Sequence, residues 1–230
     1  MPPRIVEVRQ NILKANDLRA RRLREAFAHA GVYVVSLVSS PGSGKTTLLC
    51  ATLRQLRGRY RVAALVGDLA TDHDAARLRE SGAPVCQITT GTVCHLDAEM
   101  VERAVATWDR TPLDFLFIEN VGNLVCPAGY DLGEDLRAVL LSVTEGEDKP
   151  QKYPAIFHSA DLAIITKVDL AAAAEYDEAL ARRCLEEVRP DLEILRVSAK
   201  SGAGVDGWLR RLEAGLLRKR GGVPDPMRTV

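Results

Sequence analysis

The chain's 230 residues carry 31 Lys and Arg against 31 Asp and Glu, a balance that points to neither nucleic acid nor an acidic membrane as a partner. A hydrophobic fraction of 47% supports a buried core, and the length suits one α/β domain better than two very small ones. No apolar run approaches the roughly 20 residues that span a bilayer, and the N-terminus lacks a signal-peptide core, so a cytoplasmic location is expected.

Residues 1–30 are expected as an N-terminal amphipathic helix, with Ile5, Val8, Ile12, Leu23 and Phe27 largely at helical spacing. The basic cluster Arg19-Ala20-Arg21-Arg22 reads as a solvated face or as a docking surface. Gly31 ends this helix, and the apolar run Val32–Val38 predicts the first strand. The stretch Ser39-Ser40-Pro41-Gly42-Ser43-Gly44-Lys45-Thr46 follows, and leucines then recur at helical spacing over Thr46–Leu56. A strand, a glycine-bearing loop and a helix in that order make a phosphate cradle, because loop amides and the helix dipole both favour a β-phosphate. Its candidate residues are Gly42, Ser43, Gly44, Lys45, Thr46 and Thr47. Lys45 would reach the β- and γ-phosphates, and the Thr46 hydroxyl would complete a Mg²⁺ shell. Ser39 stands where G-x-x-x-x-G-K-[ST] has its first glycine.

Strands are next expected at Arg61–Val66, Val85–Thr89, Leu113–Ile118, Arg137–Val143, Leu162–Thr166 and Ile194–Val197. Helices are expected at Asp74–Glu80, Asp97–Trp108, Glu175–Val188 and Val205–Leu217. This alternation predicts an α/β P-loop NTPase: a mostly parallel, doubly wound sheet with helices on both faces and its loops gathered at the carboxyl ends of the strands. Residues 31–218 form the expected nucleotide-binding domain, and the basic, proline-containing segment 219–230 is expected as a flexible tail. Asn120–Gly133 and Thr144–His158 are expected as long functional loops.

Thr166-Lys167-Val168-Asp169 ends an apolar strand, where a base-reading loop would lie. A carboxylate at Asp169 accepts from the N1–H and the 2-amino group of guanine, which adenine cannot offer, and the Lys167 stem can lie along the purine. Ser198-Ala199-Lys200 follows the next strand, where a backbone N–H could meet the guanine O6. Guanine is therefore expected. Glu119 ends its strand three residues before Gly122, a D-x-x-G-like element whose carboxylate could hold Mg²⁺ while the glycine amide senses the γ-phosphate. Asp68 is a second Mg²⁺-side candidate, or simply an acid ending a strand. Asp72 and Asp74 are the acids expected nearest the attacking water. No arginine stands out as a finger in cis, so slow intrinsic turnover is expected.

Five cysteines, an odd count, argue against a disulfide framework and call for burial or metal as an explanation. Cys50, Cys86 and Cys184 fall inside regular patterns and read as core. Cys94-His95 and Cys126 offer thiolates and an imidazole, which suit Zn²⁺ or Ni²⁺; buried free cysteines are the alternative. Three ligands are one short of a closed tetrahedral site, and two copies of the chain could supply more.

Read together, S-S-P-G-S-G-K-T-T, G-D-x-x-T-D-x-D-A, G-x-x-C-H-L-D-A, F-I-E-N-V-G-N-L-V-C-P, D-K-P-x-K-Y-P and T-K-V-D-L resemble the hydrogenase maturation GTPases of the HypB family over about residues 4–217. Ser39 belongs to that resemblance, since the family's loop also begins S-S-P-G. The resemblance implies a SIMIBI-type GTPase that assists nickel insertion into [NiFe] hydrogenase. It further implies GTP-dependent dimerisation, Zn²⁺ or Ni²⁺ held at the interface through Cys94, His95 and Cys126, and GTP/GDP with Mg²⁺ as cofactors. Implied partners are a zinc-binding maturation protein of the HypA type and the hydrogenase large-subunit precursor. Lys149 and Lys152 match residues near the dimer contact. Some members carry an N-terminal C-x-x-C-G-C nickel site or a histidine-rich tract; neither pattern occurs here, so high-affinity nickel storage is not expected. The alternatives are a urease accessory GTPase, whose metal motif is C-P-H, and a nickel or zinc carrier with a weak nucleotide switch.

Overall fold

The computed structural model describes residues 4–69, 72–108 and 112–221, with side chains from Gln10 onward. The side chains of Ile5 and Val8, named above, lie outside that description, as do residues 1–3 and the segment 222–230.

Seven parallel strands form one sheet: β1 (Tyr33–Ser39), β2 (Val62–Asp68), β3 (Val85–Thr89), β4 (Phe115–Glu119), β5 (Leu136–Ser142), β6 (Leu162–Thr166) and β7 (Glu193–Val197), in the order β3-β2-β4-β1-β5-β6-β7. The expected α/β fold is the observed one. The helices are α1 (Arg4–His29), α2 (Lys45–Leu56), α3 (His73–Arg79), α4 (Ala98–Ala106), α5 (Lys149–Lys152), α6 (Pro154–Ser159), α7 (Glu178–Val188) and α8 (Val205–Gly221). The central strands are apolar along both faces, as a sheet buried on both sides requires. Tyr33, Val35 and Leu37 of β1 point to one face and pack with α2 and α8. Val34 points to the other, where α1 and α4 supply Leu23, Phe27 and Val101. A third cluster joins β5 and β6 to α6 and α7 through Val139, Ala163, Phe157 and Leu185. Because β4 and β5 flank β1, the loop after β1 opens at the point where the strand order reverses, the usual ligand crevice of such sheets.

Some expected boundaries move, each for a local reason. The helix expected from Glu175 begins at Glu178, because Asp177 caps it by accepting from the Leu180 N–H and Glu175 sits in the left-handed region. The closing helix continues past Leu217 through Gly221, so residues 219–221 are not a flexible tail. Lys219 pairs with Asp135 at 2.6 Å and Arg220 with Asp114 at 2.5 Å, fastening the last turn to the sheet. The expected loop Thr144–His158 contains α5 and most of α6. Of the three cysteines read as core, Cys184 is buried while Cys50 and Cys86 are half-buried at the core's edge.

Beneath β5 lies a buried ion pair. The Glu134 carboxylate accepts from Arg137 Nε at 2.8 Å and from the Leu132 N–H, and Arg137 Nη2 donates to the Tyr130 carbonyl at 2.6 Å. Burial alone would raise the Glu134 pKa, but Arg137 and the backbone donors outweigh it and lower it to about 2. Removing one partner strands the other charge in the interior. Glu134→Gln should therefore lower stability by about 3–5 kcal/mol, read from urea unfolding at neutral pH; a loss under about 1 kcal/mol would contradict this account.

Candidate nucleotide and metal sites

The phosphate loop turns sharply after β1. Gly44, at φ +95°, holds a conformation that L side chains avoid, and it delivers the chain into α2 with the helix N-terminus open to a ligand. Lys45 is buried, and its ammonium donates to Ser39 Oγ at 2.9 Å and to the Ser40 carbonyl at 3.4 Å. The residue that departs from the glycine pattern thus holds the lysine. Thr46 Oγ1 donates to Glu119 Oε1 at 2.7 Å, while the buried Glu119 Oε2 has no hydrogen-bond partner. Gly122 lies against this loop so closely that a Cβ there would sit 3.0 Å from Pro41 Cα.

Gly44, Lys45, Thr46, Glu119 and Gly122 line a cavity of about 380 Å³ together with Thr47, Gly67, Asp68, Asp74 and Arg77. An ammonium, a hydroxyl and an orphaned carboxylate oxygen around one cavity fit a Mg²⁺–phosphate group. The structure brings together Gly42, Gly44, Lys45, Thr46, Thr47, Asp68, Asp74, Glu119 and Gly122 of the sequence candidates. Asp72 is apart from them: it stands before α3, exposed, and does not line the cavity. Arg77 is the reverse case, a cation at the cavity that the sequence reading passed over. It donates to Thr47 Oγ1 at 3.1 Å, and its position one helical turn after Asp74 was the available signal. Ser43 turns away from the cavity, donating to Glu145 on the loop after β5, another residue without a sequence assignment.

A neighbouring cavity of about 180 Å³ is lined by Lys167, Asp169, Ser198 and Ala199 on one side and by Gly44 and Thr47 on the other. It opens at the ends of β6 and β7, beside the phosphate cavity. Lys167 is left-handed at φ 57°, a strained backbone for a residue with a side chain, and its Cε would lie 3.9 Å from a Cβ on Gly44. The lysine stem therefore runs along the phosphate loop, and Thr166 Oγ1 fixes it there by donating to the Ser43 carbonyl at 2.7 Å.

The third group lies beyond Gly122. Cys94, His95 and Cys126 place their donor atoms within 4.8 Å of one another, with the two sulfurs 2.8 Å apart. All three residues are half-buried. His95 Nδ1 is buried without a hydrogen-bond partner, and burial lowers the imidazole pKa below its ordinary value, which favours the neutral, ligating form. An imidazole nitrogen within 4.8 Å of two thiols is a donor set that suits Zn²⁺ or Ni²⁺. The His95 ring packs on Tyr130, with centroids 4.0 Å apart.

The family model for the CobW/HypB/UreG nucleotide-binding domain matches residues 33–196. The chain is 50% identical to the hydrogenase maturation factor HypB of Azotobacter vinelandii over 95% of its length and 71% of that protein's. It is also 50% identical to HypB of Escherichia coli K12, over 91% of this chain and 72% of the relative. The chain belongs to the HypB family. Among solved structures, HypB from Helicobacter pylori in complex with nickel superposes with a TM-score of 0.84 at 37% identity, covering 94% of this chain and all of that one. The parallel sheet and crevice described above are thus those of a known HypB fold, and the resemblance read from the sequence motifs is confirmed.

Burial raises the Glu119 pKa to about 7, with Lys45 and Thr46 pulling the other way. Between about pH 4.5 and 7 the native state therefore binds a proton that the unfolded chain has released, so stability falls as pH rises through this window. For the nucleotide-free protein, Glu119→Gln should leave stability near pH 5 almost unchanged and raise it near pH 8 by about 1–3 kcal/mol. Parallel unfolding curves of the two proteins across pH check this; an equal offset at both pH values would refute it.

Proposed function

We propose that this chain is a GTP-hydrolysing metallochaperone of hydrogenase maturation, whose nucleotide state controls a nickel or zinc site. One observation carries the reading. The segment Glu119–Cys126 has its first residue hydrogen-bonded to Thr46 at the phosphate cavity and its last residue beside Cys94. A change at the γ-phosphate thus has only six residues between Glu119 and Cys126 through which to reach a metal ligand.

The chemistry asked of the protein is positioning and charge neutralisation. Loop amides around Gly42 and Gly44 hold the β-phosphate. Lys45, now on Ser39 and Ser40, transfers its ammonium to the β- and γ-oxygens when nucleotide enters. Mg²⁺ supplies further charge neutralisation when bound, and Thr46, Glu119 and Asp68 are the residues that would hold it. Asp74 faces the cavity as the acid nearest the attacking water, and Arg77 adds a cation from the same helix. Asp169 reads guanine by accepting from N1–H and the 2-amino group, while Lys167 covers the base and the Ser198–Ala199 backbone meets O6.

Nickel or zinc is the cargo. Cys94, His95 and Cys126 supply three donors, and a second copy of the chain, paired on GTP binding, completes the set. Val125, 65% exposed beside Cys126, gives that pairing an apolar contact. A zinc-binding partner of the HypA type and the hydrogenase large-subunit precursor are the proteins with which such a factor exchanges metal.

Three outcomes follow. Lys45→Ala should lower GTP turnover by about 10²–10³-fold, measured as phosphate release, with the fold retained. Asp169→Asn should exchange guanine for xanthine preference, because an amide matches the N1–H and the C2 carbonyl of xanthine; unaltered GTP-over-XTP selectivity would remove Asp169 from base reading. Ni²⁺ titrations should give affinities that differ at least about fivefold between the GDP form and a non-hydrolysable GTP form. Equal affinities would sink the switch.

A further inference from the structure

The donors proposed above for the metal come from two segments far apart in the chain. Cys94 and His95 precede α4, whereas Cys126 opens the turn that leads to Tyr130 and Asp131. Two hydrogen bonds join the segments directly: Asn123 Nδ2 donates to the Cys94 carbonyl at 3.3 Å, and the Leu96 N–H donates to Asn120 Oδ1 at 3.0 Å. A third element spans them both. Asn16, on α1 and only 6% exposed, accepts from the Ala98 N–H at 2.9 Å through Oδ1 and donates to the Asp131 carbonyl at 2.9 Å through Nδ2. One amide thus fixes the start of α4, three residues after His95, to the end of the turn that begins at Cys126. Arg24, two helical turns further along α1, pairs with the Asp131 carboxylate at 2.6 Å and reinforces the same side.

We propose that Asn16 is a positioning residue for the Cys94–His95–Cys126 donors, and that the seating of α1 is thermodynamically linked to metal occupancy. The inference rests on the metal reading above. An Asn suits the position because its side chain offers a donor and an acceptor in one rigid plane. Asp keeps the Ala98 arm but turns an oxygen toward the Asp131 carbonyl; Ala keeps neither arm. Groups bonded directly to metal ligands commonly cost about 10–100-fold in affinity when lost; Asn16 acts one step further out, through Ala98 and Asp131, so a smaller, several-fold loss is expected. Linkage is reciprocal: metal tightens α1 onto α4 and the 126–131 turn, and anything that loosens α1 weakens metal by the same factor. The chain then has a route to cargo release that does not pass through the nucleotide.

The test is Co²⁺ titration of the metal-free, full-length protein, reading the thiolate-to-cobalt charge-transfer absorption and the d–d bands. Asn16→Ala should weaken Co²⁺ by about three- to tenfold and change the d–d envelope, with Asn16→Asp intermediate. GDP affinity, read at a cavity that Asn16 does not line, serves as the folding control. Should Asn16→Ala fail to fold, Asn16→Asp carries the comparison. In the wild type, Zn²⁺ should slow hydrogen exchange in peptides covering residues 12–20 and 96–100; unchanged exchange overturns the linkage. Unchanged Co²⁺ affinity and spectrum in the folded variants overturn the positioning role alone. A wild type without cobalt–thiolate absorption would overturn the metal reading and this inference together.

Discussion

A single hydrogen bond, from the Thr46 hydroxyl to the Glu119 carboxylate, joins the two halves of this molecule's chemistry. It ties the first turn of α2, which must face phosphate, to the end of β4, from which the chain runs on to Cys126. Both residues are buried with Lys45, in a setting that raises the carboxyl pKa and lowers that of the amine. A buried carboxylate with one unpartnered oxygen is costly unless something arrives to meet it. On the proposed reading, the cation that accompanies phosphate would meet that oxygen, and Glu119 begins the segment that leads to the Cys94–His95–Cys126 donors.

Downstream of Glu119 the chain has little freedom. Asn120 accepts from Leu96 and from its own neighbour Val121, Gly122 is pressed against Pro41, and Asn123 reaches the Cys94 carbonyl. Further on, the buried Glu134–Arg137 pair holds the Tyr130 carbonyl, and the Tyr130 ring supports His95. On the proposed reading, a displacement at Gly122 would reach Cys126 along this held segment and change its spacing from Cys94 and His95. Packed elements of this kind pass between discrete arrangements instead of deforming smoothly, which suits a switch.

The parts legible in the sequence are those in which neighbouring residues carry the chemistry. The phosphate loop needs consecutive backbone amides, and Thr166–Asp169 needs a strand end beside it. Each is therefore written within a few residues, and the strand–helix rhythm orders them. The Cys94-His95 pair was visible for the same reason, and Cys126 because it falls outside the regular helix and strand patterns that hold Cys50, Cys86 and Cys184. Asn16, Tyr130, Glu145 and Arg77 were not, since each acts across the fold on a partner that no local pattern names. Asp72 looked equivalent to Asp74 in the sequence; the start of α3 separates them by pointing only Asp74 into the cavity. The extension of α8 depended on Asp114 and Asp135, acids supplied by distant strand ends. A basic helix end reads as a tail until its counter-charges are located.

The donor set also bears on what kind of metal site the proposed one would be. Sites that hold zinc for structure close their coordination with four protein ligands, whereas sites that act on or exchange something keep a position free. Here one chain offers three donors, all half-buried, at the surface where Val125 is exposed. With Tyr130 against the His95 ring and Val125 exposed beside Cys126, the proposed site would load and release metal on the Val125 side. That direction is also the one in which a second copy, or a protein receiving the ion, would supply the missing ligand. An incomplete site is what transfer would require: the donors present set which ion fits, and the missing position lets the next protein take it.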